Sequence, residues 1–211
     1  MFEFDTSAYG KAVAELLLPQ RLPELGPGTP NSAALTDLRR LTDERMFGAG
    51  RVRDTSMAAA CRAALWLHHD YLDESHQISQ SLDDSSGSYW HGIMHRREPD
   101  AANAKYWFRR VPTHAIYPQL CAMTLKLAET DGTVAEADRQ AVRSLTGGDT
   151  WDPTRFVDLC EIARTSDPGK QLLARRIQLR EWQLLFDHCF RLAGIENEES
   201  RIKNQGREGV A

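Results

Sequence analysis

His91, His95 and Glu98, within SYWHGIMHRREPD, stand at i, i+4 and i+7, a spacing that stacks all three on one face of a helix. Upstream, His69, Asp73, His76 and Gln80 form a second polar stripe at i, i+4, i+7 and i+11. If the intervening DDSSGS turns the chain back on itself, Asp73 and His76 face His91, His95 and Glu98 across a helix pair. Neutral imidazoles with carboxylates are donors that zinc, iron or manganese accept, and Asp73-x-x-His76 has the i, i+3 arrangement that metal-binding bundles use. A divalent transition metal held by Asp73, His76, His91, His95 and Glu98 would bring the pKa of a bound water toward neutrality, a leftover carboxylate serving as general base. The competing expectation is plainer. The 69/73/76/80 stripe is then a solvated face, and His91 and His95 pack at a helix interface with their ring nitrogens satisfied by neighbours.

Cations form a second ingredient. Arg96, Arg97, Lys105, Arg109 and Arg110 lie close in sequence, and Lys105 and Arg109 share a helix face at i, i+4, where an arginine holds a carboxylate or phosphate in two-point fashion. Tyr89, Trp90, Tyr106, Trp107 and Phe108 are interleaved with them. Such alternation suits a stacked anionic ligand or exposed bases; it equally suits a core seam edged by arginine stems, the expectation for Trp107 and Phe108. His188, spaced i, i+7 from Glu181, could join the same cluster from a later helix, but a satisfied core histidine is the simpler expectation.

The elements that must position these groups are helical. Apolar residues recur with helical periodicity through most of the chain, and no convincing alternating strand interrupts them. Tyr9 to Leu18 reads as a short helix stopped by Pro19, and the proline- and glycine-rich stretch from Pro19 to Ser32 as a loop. Ala33 to Phe47 holds one or two short helices. A long helix is expected from Thr55 to about Leu82, capped by Asp54 or Thr55, with Leu67, Tyr71, Ile78 and Leu82 on its apolar stripe. Trp90 to Glu98 and Ala101 to Val111 follow as a hairpin around Pro99-Asp100; Ala115 to Glu129 gives a further helix with Pro118 as a kink. Thr133 with Glu136 has the pattern of a capping box, while the neighbouring acidic loop lacks the oxygen ligands of an EF-hand. Asp152-Pro153 and Asp167-Pro168 mark two more helix starts, the second helix running to Gly194. The expected organisation is one all-α, bundle-like or orthogonal multi-helix domain over residues 1–194, followed by a polar, disordered tail at 195–211.

Composition narrows the partners. The 211 residues are 41% apolar and 27% charged, enough for a sizeable core, and the formal charge of −4 with both signs interspersed supplies no basic field for nucleic acid, the least favoured partner. Cys61, Cys121, Cys160 and Cys189 are far apart, form no CxxC pair and sit in apolar contexts, as buried thiols in a reducing cytoplasm do. The amino terminus lacks a basic, then apolar, leader pattern, and no stretch reaches the length of a spanning helix, so a cytoplasmic protein without a membrane partner is expected.

Gly92, Ala104 and Phe108, separated by twelve and then four residues around a Pro-Asp turn, resemble one tetratricopeptide-repeat hairpin. In that repeat the glycine permits close helix approach, the alanine and phenylalanine pack between the helices, and His95 falls where a tyrosine faces the partner helix. No second good copy is present, and a solenoid needs several. More specifically, YWHGIMHRREPD and NAKYWFRRV, with LHHDYLDESHQISQSL upstream, look like an uncharacterised family of cytoplasmic helical proteins of bacteria and fungi. That resemblance covers Leu67 to His114 and implies a shared fold but no activity.

The first functional expectation is therefore a pocket or docking surface for a small, anionic ligand or a protein partner, lined by His76, His91, His95, Arg96, Glu98, Lys105 and Arg109. The second is a metal-dependent hydrolase or oxidoreductase built on the five-residue ligand set above, and the third a tetratricopeptide-like interaction module with Tyr106 and the arginines on its groove.

Overall fold

The computed structural model describes residues 2–50, 52–132, 134–146 and 150–194. Within them the chain forms α1 (Lys11–Leu16), α2 (Leu35–Arg39), α3 (Asp43–Phe47), α4 (Thr55–His68), α5 (Leu72–Ser79), α6 (Ser85–Arg97), α7 (Ala101–Arg109), α8 (Tyr117–Thr130), α9 (Glu136–Leu145), α10 (Pro153–Arg164) and α11 (Pro168–Ala193). No sheet occurs among the described residues, and the fold is all-α as expected. The proposed tail at 195–211 lies outside the described residues. Among those described, no helix is long and apolar enough to cross a membrane.

Aspartate caps place the helix starts. Asp54, Asp84, Asp100, Asp152 and Asp167 each accept backbone N–H bonds from the first turn of α4, α6, α7, α10 and α11, satisfying donors that the helix itself leaves free. Because Asp84 is the cap, α6 begins at Ser85, earlier than the expected Trp90. Pro118 does not kink α8: it stands in the first turn, where its missing N–H costs no helical bond. The capping-box threonine, Thr133, lies outside the described residues, and α9 starts from Ala135 without a side-chain cap.

The long helix expected from Thr55 to Leu82 is broken in two. Asp70 takes a positive φ of 66°, between α4 and α5, a backbone state that aspartate tolerates better than most residues. Its carboxylate is fixed there by two arginines from elsewhere: Arg97 donates to Oδ1 and Arg21 to Oδ2, each at 2.5 Å. Arg97 also donates to the carbonyls of Leu67, Gly26 and Pro27, tying the proline-rich loop to the same corner. His69, expected on the polar stripe, is buried instead; its Nε2 lies 2.8 Å from the Leu16 carbonyl and its Nδ1 3.0 Å from the Asn31 amide nitrogen.

This break redirects α5 onto α6. The turn between them closes tightly, since a Cβ at Gly87 would collide with that of Leu82. α6 then runs through the interior, with residues Ser86 to Arg97 all buried. It packs against α4, α5 and α7, and reaches α11 through Arg96, whose guanidinium donates to Glu181 Oε2 at 2.5 Å with both side chains fully buried. The Tyr89 hydroxyl donates to the other Glu181 oxygen at 3.0 Å. One apolar cluster joins Tyr9 to Ala193, and all four cysteines are buried free thiols within the chain.

α6 and α7 cross closely at Gly92, Ala104 and Phe108. Ala104 is fully buried, and a Cβ at Gly92 would lie 2.8 Å from Cε1 of Phe108, so only glycine lets the two helices approach this closely.

Candidate metal centre

A helix buried on all sides and yet carrying His91, His95, Arg96 and Arg97 must find partners for each polar group. Arg96 has Glu181, Arg97 has Asp70 and three carbonyls, and His95 Nδ1 lies 2.9 Å from Glu98 Oε2. Trp90 Nε1 and Arg96 Nε lack a partner, but of these two histidines and two arginines His91 alone has none at any atom. Only 2% exposed, it has no hydrogen-bond partner on either ring nitrogen.

What surrounds His91 is other rings. The i, i+4 spacing on α6 lays His95 nearly parallel to it, centroids 4.8 Å apart at 17°, and Trp107 of α7 stacks on it at 4.0 Å and 16°. His76 comes edge-on from α5, 4.7 Å from His91 and 5.3 Å from His95, with interplanar angles of 89° and 78°. One ligating atom from each of His76, His91 and His95 lies within 4.8 Å of the other two. An ion bound by three imidazoles at about 2.0–2.1 Å sets their nitrogens about 3.3 Å apart and lies in the plane of each ring, so closing the set requires the nearly parallel rings of His91 and His95 to turn relative to one another.

The electrostatics favour ligation. Burial, then the neighbouring His95 and His76, then Arg110, lower the pKa of His91 to about 3, so its imidazole is neutral and its lone pair free at neutral pH. Glu98 fixes the tautomer of His95: with Nδ1–H donated to the carboxylate, Nε2 is left to bind. Glu98 is itself exposed and His76 partly so, which sets the three histidines at the edge of the interior within reach of solvent.

The other residues expected at this site are distributed differently. Asp73, one turn before His76, is exposed and is not among the residues that converge. Glu98 reaches the cluster through His95 instead of joining it. Arg96 turns away into the core against Glu181, with its guanidinium 4.5 Å from the Phe156 ring. Lys105 pairs with Asp158 of α10 at 2.5 Å, and Arg109 lines a cleft of about 430 Å³ beside Trp151 and Arg155. His188 packs 4.9 Å from His114, whose Nε2 lies 3.1 Å from the Ser86 hydroxyl, and Glu181 is taken up by Arg96 and Tyr89. Trp107, expected in a core seam, instead covers His91, a role that only the tertiary contact of α6 with α7 discloses.

No family model, no curated protein and no solved structure matches the chain.

Proposed function

We propose that this protein binds a divalent transition-metal ion through His76, His91 and His95. The observation that carries the reading is His91, a buried imidazole with both nitrogens unpartnered, gathered with two further imidazoles so that one ligand atom of each lies within 4.8 Å of the others. Leaving such groups unsatisfied costs about 1–3 kcal/mol, and coordination would remove the cost at the lone pair. Three neutral nitrogen donors suit zinc, iron, copper or nickel better than calcium or magnesium, and in zinc enzymes three protein ligands leave a fourth position to water. An ion so held supplies a water activated for hydrolysis or hydration near neutral pH. Glu98 would orient His95, and Trp107 would hold the plane of His91. Four buried free thiols fit a reducing cytoplasm as the setting.

The cationic groups expected to line an anion pocket do not gather around these imidazoles, since Arg96, Lys105 and Arg109 have their own surroundings. The metal reading is therefore preferred to a metal-free pocket. Elemental analysis of the purified protein together with thermal unfolding in zinc, ferrous or nickel salts tests it. About one equivalent of metal and a raised Tm are expected, both lost in His91→Ala; absence of uptake and of any shift would remove the reading.

A further inference from the structure

Resting on that metal reading, the charge around the three histidines constrains what occupies the open coordination position. Three imidazoles bring no negative charge, so a bound divalent ion keeps its full charge, unlike an ion held by carboxylates. The carboxylate at hand, Glu98, is hydrogen-bonded to His95. Against it stands Arg110, seated on the indole of Trp107 that covers His91.

Among the described residues, Arg109 and Arg110 are the cations of this hairpin without a carboxylate partner. Arg96, Arg97 and Lys105 are each paired with a carboxylate. Arg110 is exposed, and among the described residues no carboxylate lies within ion-pair distance of it. Its guanidinium carbon lies 5.0 Å from the centre of the Trp107 ring, and that same ring stacks on His91 at 4.0 Å. A single indole thus connects a metal-ligand imidazole to an unpaired planar fork, the group best matched to a carboxylate or phosphate.

We infer that the open position takes a small oxyanion, carboxylate or phosphate, whose binding Arg110 secures from its seat on Trp107. Arg110 is here a binding residue. Its counterpart Arg109, exposed on the same helix end, lines the separate cleft beside Trp151 and takes no part.

The full-length protein loaded with cobalt(II) provides the test, because the visible absorption of the ion reports its ligands. At constant ionic strength set with perchlorate, titration with inorganic phosphate, and separately with acetate, should change the spectrum saturably for at least one of them; which one responds identifies the oxyanion. Arg110→Met should weaken that response about tenfold or more while leaving cobalt affinity and Tm unchanged, since a charge-assisted two-point contact is lost. Arg110→Lys should fall between. A protein that takes up no cobalt overturns the metal reading and this inference together. A protein that takes up cobalt but ignores both anions, or binds them equally well as Arg110→Met, overturns the inference alone.

Discussion

Replacing His91 by phenylalanine separates a ligand from a packing residue. His91→Phe keeps a planar ring between Trp107 and His95 while removing two nitrogens that have no partner in the metal-free protein. Relief of that desolvation, set against a slightly larger ring, should raise metal-free stability by about 1 kcal/mol at pH 7.5. The pH dependence sharpens the contrast. In the unfolded chain His91 protonates near 6.5, in the folded protein only near 3. Its folded pKa is lowered, so stability is full above about 6.5 and lost as pH falls toward 3, at about 1.4 kcal/mol per pH unit. At pH 5 the loss is about 2 kcal/mol, and the variant escapes it, so its advantage should widen to about 3 kcal/mol. His68 and His114, whose pKa values burial lowers to about 3 and about 4, weaken both proteins alike and cancel in the difference. Urea unfolding of metal-free protein at pH 7.5 and 5 measures the gap. A variant destabilised at pH 7.5, or a gap that fails to widen on acidification, would refute the placing of His91 as a buried, unpartnered imidazole.

Gly92→Ala should destabilise by about 1–3 kcal/mol, against the gain of nearly 1 kcal/mol that this change brings in an open helix, because the new Cβ would meet the buried Phe108 ring at 2.8 Å; denaturant unfolding reads the sign. Glu98→Gln should leave stability nearly unchanged and lower metal affinity about tenfold or more, read by competition with a chromophoric chelator, since the charged orienter of His95 is lost. Arg96→Met should cost about 3–5 kcal/mol in urea unfolding, because Glu181 would be left as a buried, uncompensated carboxylate.

The sequence was most legible where a structural signal is local. Asp152-Pro153 and Asp167-Pro168 carry their caps within four residues, and the helices start there. The i, i+4 spacing of His91 and His95 places both on one face whatever the rest of the chain does, and Gly92 with Phe108 announced a close helix crossing. The break at Asp70 was not legible. No proline or glycine marks it; its cause is Arg97 and Arg21, groups distant in the chain that reward an aspartate for a positive φ. The same break decided which members of the polar stripe matter, burying His69, presenting His76 to α6 and leaving Asp73 in solvent. Arg96 was misdirected for a related reason: on a helix enclosed on every side no face is a solvent face, and the charge that attracts it, Glu181, lies on α11.

Anomalous diffraction at the zinc edge, from a crystal of the protein equilibrated with zinc, tests the three-histidine centre most directly. The expected result is one strong peak about 2.0–2.1 Å from a ring nitrogen of each of His76, His91 and His95, with a fourth ligand from solvent. A zinc-equilibrated crystal with no peak there, the rings still stacked around an unligated His91, would contradict it.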